Sequence, residues 1–196
     1  MIINEDKKKI IEELNNGKVI AIKTDTVYGL ICNALKVDAI NKIYSIKRRE
    51  NKKPIAIFVK NIDEIKKYVD ENEITNKVVD IMKKYWPGAL TIIFNKKKDV
   101  LDYITSGIDT IGIRIPNDRF LLSILENISY PLAETSCNIS GEKEYTNPNM
   151  INEKLGGEID FIVDGGMIKE NVASTVIKIN NNDIQVIRQG DIKIDE

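Results

Sequence analysis

The chain has 196 residues, 29 Lys and Arg against 30 Asp and Glu, and no histidine. A net charge of −1 excludes a protein that works chiefly as a polycation on nucleic acid, and the missing histidine removes the usual general base, Ser–His triads and the commonest metal ligand. No run approaches the roughly 20 apolar residues of a membrane span, and the N-terminal MIINEDKKKIIEELNNGK is charged where a secretory signal needs its apolar run. A cytoplasmic protein with no membrane partner is therefore expected. Its two cysteines, Cys32 and Cys137, lack metal-ligand spacing and are expected to be reduced thiols.

In chain order, residues 4–15 predict a helix capped by Asn4 and ended by Gly17. KVIAI (18–22) predicts a short buried strand, with TDTVYGL (24–30) leaving its end. Asp38 caps a helix to about Ile46, and a basic loop, KRRENKKP, spans 47–54. Ile55–Val59 predicts a strand, 62–70 and 75–86 two helices, and Ala89–Phe94 and Thr110–Ile115 two further strands. Asp118 starts a helix to about Glu126, Pro131–Thr135 predicts a strand, and Asn147-Pro148 opens a short helix with proline at its first position. Strands near 159–163, 174–179 and 184–188 follow, the last two as a hairpin turning at Asn180–Asn182. The interspersed pattern predicts one α/β domain over residues 1–190 with a mixed sheet, and a C-terminal tail at 191–196.

The chemistry must lie in carboxylates, hydroxyls, Lys, Arg and backbone amides. No GxxxxGK[ST] and no GxGxxG is present, so a bound nucleotide would need another device. Only five of the 29 cations are Arg: Arg48, Arg49, Arg114, Arg119 and Arg188. Where Lys is the default, an Arg is a candidate for a planar, bidentate grip on phosphate or carboxylate. In TIGIRIP (110–116), alternation sets Thr110, Gly112 and Arg114 on one face and the isoleucines on the other. An arginine so placed needs a partner, and a ligand anion would serve. KTDTVYGL (23–30) offers hydroxyls around a carboxylate at a strand end, where α/β sheets often bind ligands; the same residues suit a local turn. TSCNISG (135–141) suits a phosphate or nucleoside pocket, or an ordinary polar turn. The 47–53 loop suits a triphosphate, an RNA backbone or plain solvation.

Taken in order, KTDTVYGLI, KRRENKKP, PGALT, GIRIP, SCNISG, STV and RQG resemble the YrdC-like family of threonylcarbamoyl-AMP synthases, in its short single-domain form, across nearly the whole chain. The resemblance implies a twisted mixed sheet with flanking helices and an open basic concave surface. It implies threonine-site roles for Thr26, Arg114 and Thr175, and ATP-site roles for Arg49, Lys53, Thr110, Ser136, Asn138 and Arg188. Lys47, Arg49 and Arg114 are the implied catalytic residues. The implied reaction joins L-threonine to bicarbonate or CO2 and transfers the carbamate to the AMP moiety of ATP, releasing pyrophosphate. Magnesium is expected on the ATP phosphates, with no protein metal site. Downstream tRNA threonylcarbamoyl-transferase proteins are the expected partners, with tRNA itself touched at most weakly. Lys23, Ile31, Lys53, Phe58, Glu134-Thr135 and Cys137 depart from the usual pattern. The alternative from another class is an RNA-binding module of the same fold without ATP turnover.

Overall fold

The computed structural model describes residues 1–49, 53–169, 172–180 and 183–194. After a two-residue strand β1 (Ile2–Ile3), helix α1 runs over Lys7–Asn15. Its cap is Asp6 and not Asn4: the Asp6 carboxylate accepts from the Lys9 N–H at 3.1 Å, and a negative charge suits that end of the helix dipole. Strands β2 (Ile20–Lys23) and β3 (Tyr28–Asn33) pair as a hairpin around residues 24–27. The sequence pattern did not announce β3, because all six of its residues are buried and no alternation survives. Helix α2 (Val37–Ile46) begins from Lys36, with Asp38 inside its first turn and not at the cap.

Strand β4 (Ala56–Phe58) is followed by a 3-10 helix at Ile62–Lys67, where an α-helix was expected, and by α3 (Asn76–Tyr85), capped by Thr75. Strand β5 (Leu90–Asn95) leads to a single turn α4 (Asp102–Thr105) held between left-handed Leu101 and Ser106. Such residues break any helical periodicity, so α4 has no signature in the sequence. Then come β6 (Thr110–Arg114), α5 (Arg119–Leu125) capped by Asp118, β7 (Leu132–Ser136), and α6 (Pro148–Leu155) capped by Asn147. Strands β8 (Phe161–Val163), β9 (Thr175–Asn180) and β10 (Asp183–Arg188) finish the sheet, the last two antiparallel as expected. The predicted turn residues 181–182 lie outside the described residues. Ile192 and Ile194, in the segment read as a tail, pack against the larger core. No helix among the described residues is long and apolar enough to cross a membrane.

The described strands form one mixed sheet in the order β1-β8-β2-β3-β7-β4-β6-β5-β9-β10. Its first face is covered over the central strands: Ile40 and Ile43 of α2, Val78 and Met82 of α3 and Ile151 of α6 pack with Leu30, Ile57, Ile92, Ile113 and Ile177. The second face is covered only in part. There Ile10 and Leu14 of α1 and Leu121, Ile124 and Leu125 of α5 close over Ile20, Ile22, Ile31, Phe58 and Leu132. Farther along the same strands no helix follows, and the exposed floor becomes a cavity.

Candidate active site

The cavity, about 370 Å³, lies over the central strands on that second face. Sheet register builds its floor. Glu134 pairs with Ala56, and the β4–β6 register continues this row to Gly112, which pairs with Ile93. A Cβ placed on Gly112 would stand 3.3 Å from Ala56 Cβ and 3.4 Å from Thr91 Cγ2. The smallest residue at this point therefore sets the depth of the floor. Above it converge Arg49, Arg114 and Arg188, the hydroxyls of Thr26, Thr91, Thr110, Ser136 and Ser174, and one carboxylate, Glu134.

Arg114 is buried, and its partners are in the protein. Its Nε donates to the Gly88 carbonyl at 2.9 Å, Nη1 to Thr26 Oγ1 at 3.0 Å and Nη2 to Asp25 Oδ1 at 2.6 Å. The Phe58 ring, paired with it across β4, lies 5.7 Å beneath the guanidinium. Three of its five N–H donors are so used, and two are left for a ligand. The turn at 24–27 is built for this contact. Thr24 Oγ1 accepts from the Thr26 and Val27 N–H groups and donates to the Val27 carbonyl at 2.7 Å. The Thr26 hydroxyl then donates to Thr24 Oγ1 at 3.0 Å while accepting from Arg114. The local turn and the ligand-site reading of KTDTVYGL are thus one arrangement. Asp25, the carboxylate between the hydroxyls of KTDTVYGL, is the ion-pair partner of Arg114.

Lys47 and Asn138 are implied site residues that do not line the cavity. The Lys47 ammonium is buried at the end of α2. It donates to the Ser136 carbonyl, to the Asn138 carbonyl at 3.0 Å and to Asn138 Oδ1 at 2.7 Å, so it pins the SCNISG turn from beneath. Burial and the nearby Arg49 push its pKa down to about 8. Ser136 Oγ, 2.8 Å from Asn138 Oδ1, is thereby held at the cavity rim. Arg49 donates to Thr135 Oγ1 at 3.1 Å and to the Pro54 carbonyl at 2.8 Å, while its buried Nε has no partner among the described residues. Arg188 donates to the Ser174 carbonyl at 2.9–3.0 Å and to Ser174 Oγ at 3.1 Å. Lys53 is exposed and outside the lining; residues 50–52 of its loop lie outside the described residues.

Thr175 also lies off the cavity. It pairs with Leu90 of the covered face, so its side chain shares that face, where Oγ1 donates to the Ile192 carbonyl at 2.7 Å and accepts from the Gly190 N–H at 2.9 Å. Its neighbours Ser174 and Val176 face the cavity instead. Both cysteines are buried and free. Glu134, one of the departures from the family pattern, lines the cavity, alternating with Leu132 and Ser136 in PLAETS.

Residues 12–190 match the model of the Sua5/YciO/YrdC family, described as telomere recombination. The chain belongs to this family. It is 41% identical, over 97% of its length and 90% of the other's, to a Methanocaldococcus jannaschii protein provisionally named a threonylcarbamoyl-AMP synthase. It superposes with a TM-score of 0.88 and 32% identity on Pyrococcus abyssi Sua5 complexed with L-threonine, covering 97% of this chain and 57% of that one. Escherichia coli YciO superposes with a TM-score of 0.85 and 25% identity, covering 97% and 94%. The chain thus spans nearly all of the short Sua5/YciO/YrdC member and less than two thirds of the longer one.

Proposed function

We propose that the protein is a threonylcarbamoyl-AMP synthase, using L-threonine, bicarbonate or CO2, and ATP. One observation carries this reading: in a chain with five arginines, three of them converge on one cavity whose floor is kept deep by Gly112 and Ala56. Three fixed guanidiniums facing one space suit a ligand set with a carboxylate and a triphosphate. Arg114 takes the threonine carboxylate with its two free donors, and the Thr26 hydroxyl lies beside it. Arg49 and Arg188 offset the phosphate charge, helped by Lys53 from the rim, while Thr110 and Ser136 offer hydroxyls to the nucleotide. Lys47 and Asn138 act by holding Ser136 in place, and Thr175 by fixing residues 190–192 behind Ser174.

A carbamate oxygen of the N-carboxylated threonine attacks the α-phosphorus of ATP, and pyrophosphate leaves. Such a transfer needs alignment and charge neutralisation more than a protein nucleophile, which matches a site of arginines and hydroxyls. Magnesium would come with the ATP phosphates and share in their neutralisation. The product is passed to proteins that transfer the threonylcarbamoyl group to tRNA. The deciding experiment is pyrophosphate release with threonine and bicarbonate omitted in turn. Each omission is expected to abolish it. Equal release without threonine, or salt-sensitive RNA binding with no ATP turnover, would overturn the reading.

A further inference from the structure

Glu134 faces the cavity from the middle of β7, yet no hydrogen bond or ion pair closes on its carboxylate among the described residues. It stands between Ile31 on β3 and Ala56 on β4, next to the helix-covered half of the face where Ile31, Phe58 and Leu132 are buried. One carboxylate oxygen lies 4.0 Å from where a Cβ of Gly29 would be, so it lies over the sheet. The carboxylate is partly buried and open to the cavity, so a group entering the cavity can serve as its partner.

The charged groups facing it are Arg114 from β6, Arg188 from β10, Asp25 from the 24–27 turn, and Lys47 and Arg49 from the end of α2. None supplies the missing partner. Arg114 is neutralised by Asp25 at 2.6 Å, Arg188 is turned to Ser174, and Lys47 to the SCNISG turn. Burial holds the Glu134 carboxyl above its ordinary range, opposed by Arg114 and Arg188 and reinforced by Asp25. Arg114 and Glu134 thus sense each other without touching. Arg114, with two spare donors, and the Glu134 carboxylate line one cavity, an arrangement suited to a zwitterion with its carboxylate toward Arg114 and its ammonium toward Glu134.

We infer that Glu134 is the receptor for the α-ammonium of the amino-acid substrate and the base that takes a proton from it. This rests on the synthase reading above, in which the amine must be neutral before it can react. One ammonium proton passes to the Glu134 carboxylate, leaving the nitrogen lone pair free. That pair forms the C–N bond to the carbon of CO2, one C=O π pair moves onto oxygen, and a second nitrogen proton leaves to solvent, giving the carbamate anion. The protonated Glu134 returns its proton to solvent at the end of the cycle. A base of this kind contributes about 100-fold or more.

The test is kcat/KM for threonine in pyrophosphate release, measured from acidic to alkaline pH for the wild type and Glu134→Gln. The amide keeps size and shape, and thermal melting with ATP affinity reports an intact fold. The variant is expected to lose about 100-fold at neutral pH with ATP affinity unchanged, and to recover as rising pH deprotonates the amine in solution. A wild-type kcat/KM with an unchanged pH profile, or an equal loss for threonine and ATP, would overturn the assignment. Glu134→Ala gives the same comparison if the Gln variant does not fold. Should the wild type release no pyrophosphate with threonine, the synthase reading fails, and the ammonium site is tested separately by calorimetry. There the wild type is expected to prefer threonine by about 10-fold or more over 2,3-dihydroxybutanoate, in which a hydroxyl replaces the amine, and Glu134→Gln to bind the two alike. Equal binding by the wild type would overturn the ammonium site.

Discussion

One face of the sheet has two fates. Where α1 and α5 cover it, the strands present Ile31, Phe58 and Leu132. Two residues along, on the same face, they present Gly29, Ala56 and Glu134, and no helix covers them. Strand, register and direction are unchanged, so the backbone does not decide which half is core and which is site. Side-chain size and polarity do. Large apolar groups recruit a helix through burial worth about 1.5–3 kcal/mol each, whereas small and polar ones leave a floor that a ligand can approach. Phe58 marks the boundary, one ring serving both as core and as the support beneath Arg114.

If the two halves are separable, a core deletion in the covered half should cost stability without touching the ligand. Leu121 is fully buried between α5 and the sheet. Leu121→Ala is expected to lower the unfolding free energy by about 2–5 kcal/mol in denaturant titration, with threonine affinity unchanged in calorimetry. A parallel fall in affinity would break the separation. Arg114→Lys asks the opposite question from the open half. Lysine keeps the charge and loses the planar fork, so threonine binding should weaken by about 10- to 150-fold, equivalent to about 1.5–3 kcal/mol, with ATP binding less affected. Wild-type threonine affinity in that variant would remove Arg114 from the substrate carboxylate.

Much of this division can be seen in the sequence. The alternation of TIGIRIP gives the open-face row Thr110, Gly112, Arg114; the scarcity of arginine marks five residues, of which Arg49, Arg114 and Arg188 line the cavity and Arg48 and Arg119 do not. What local patterns miss has physical causes. β3 is buried on both faces and so shows no period. α4 is one turn between left-handed residues. The partner of Arg114 is Asp25, 89 positions away, a contact that only the pairing of distant strands creates. Motif likeness marks Thr175, yet strand parity turns its side chain to the covered face and gives the cavity its two neighbours instead.

Thr175 therefore sharpens the comparison, since likeness assigns it to the ligand and geometry to the scaffold. Thr175→Val leaves the Gly190 N–H and the Ile192 carbonyl without their partner in a partly buried place. A loss of about 1–3 kcal/mol in stability is expected, read as a lowered melting temperature, with no loss confined to threonine binding. Unchanged melting together with a selective threonine defect would instead place this hydroxyl in the site.

The smallest effect is expected at Ser174, which belongs to the open half but touches no substrate in the proposed arrangement. Its Oγ lies 2.9 Å from Thr91 Oγ1 and accepts from Arg188 Nη2 at 3.1 Å, while its carbonyl takes two further Arg188 contacts. Ser174→Ala removes only the hydroxyl. The carbonyl still holds Arg188 in the cavity wall, so the guanidinium loses one of its three hydrogen bonds and some of its orientation. Thr91, whose hydroxyl loses its neighbour, stays against the Gly112 floor. One neutral-acceptor hydrogen bond is worth about 0.5–1.5 kcal/mol net. ATP affinity should therefore fall by about 2- to 12-fold, with threonine affinity unchanged because Arg114 and its partners lie across the cavity. Calorimetric titration of each ligand separates the two. A threonine defect as large as the ATP defect would mean that the open half is one coupled network and not two neighbouring subsites.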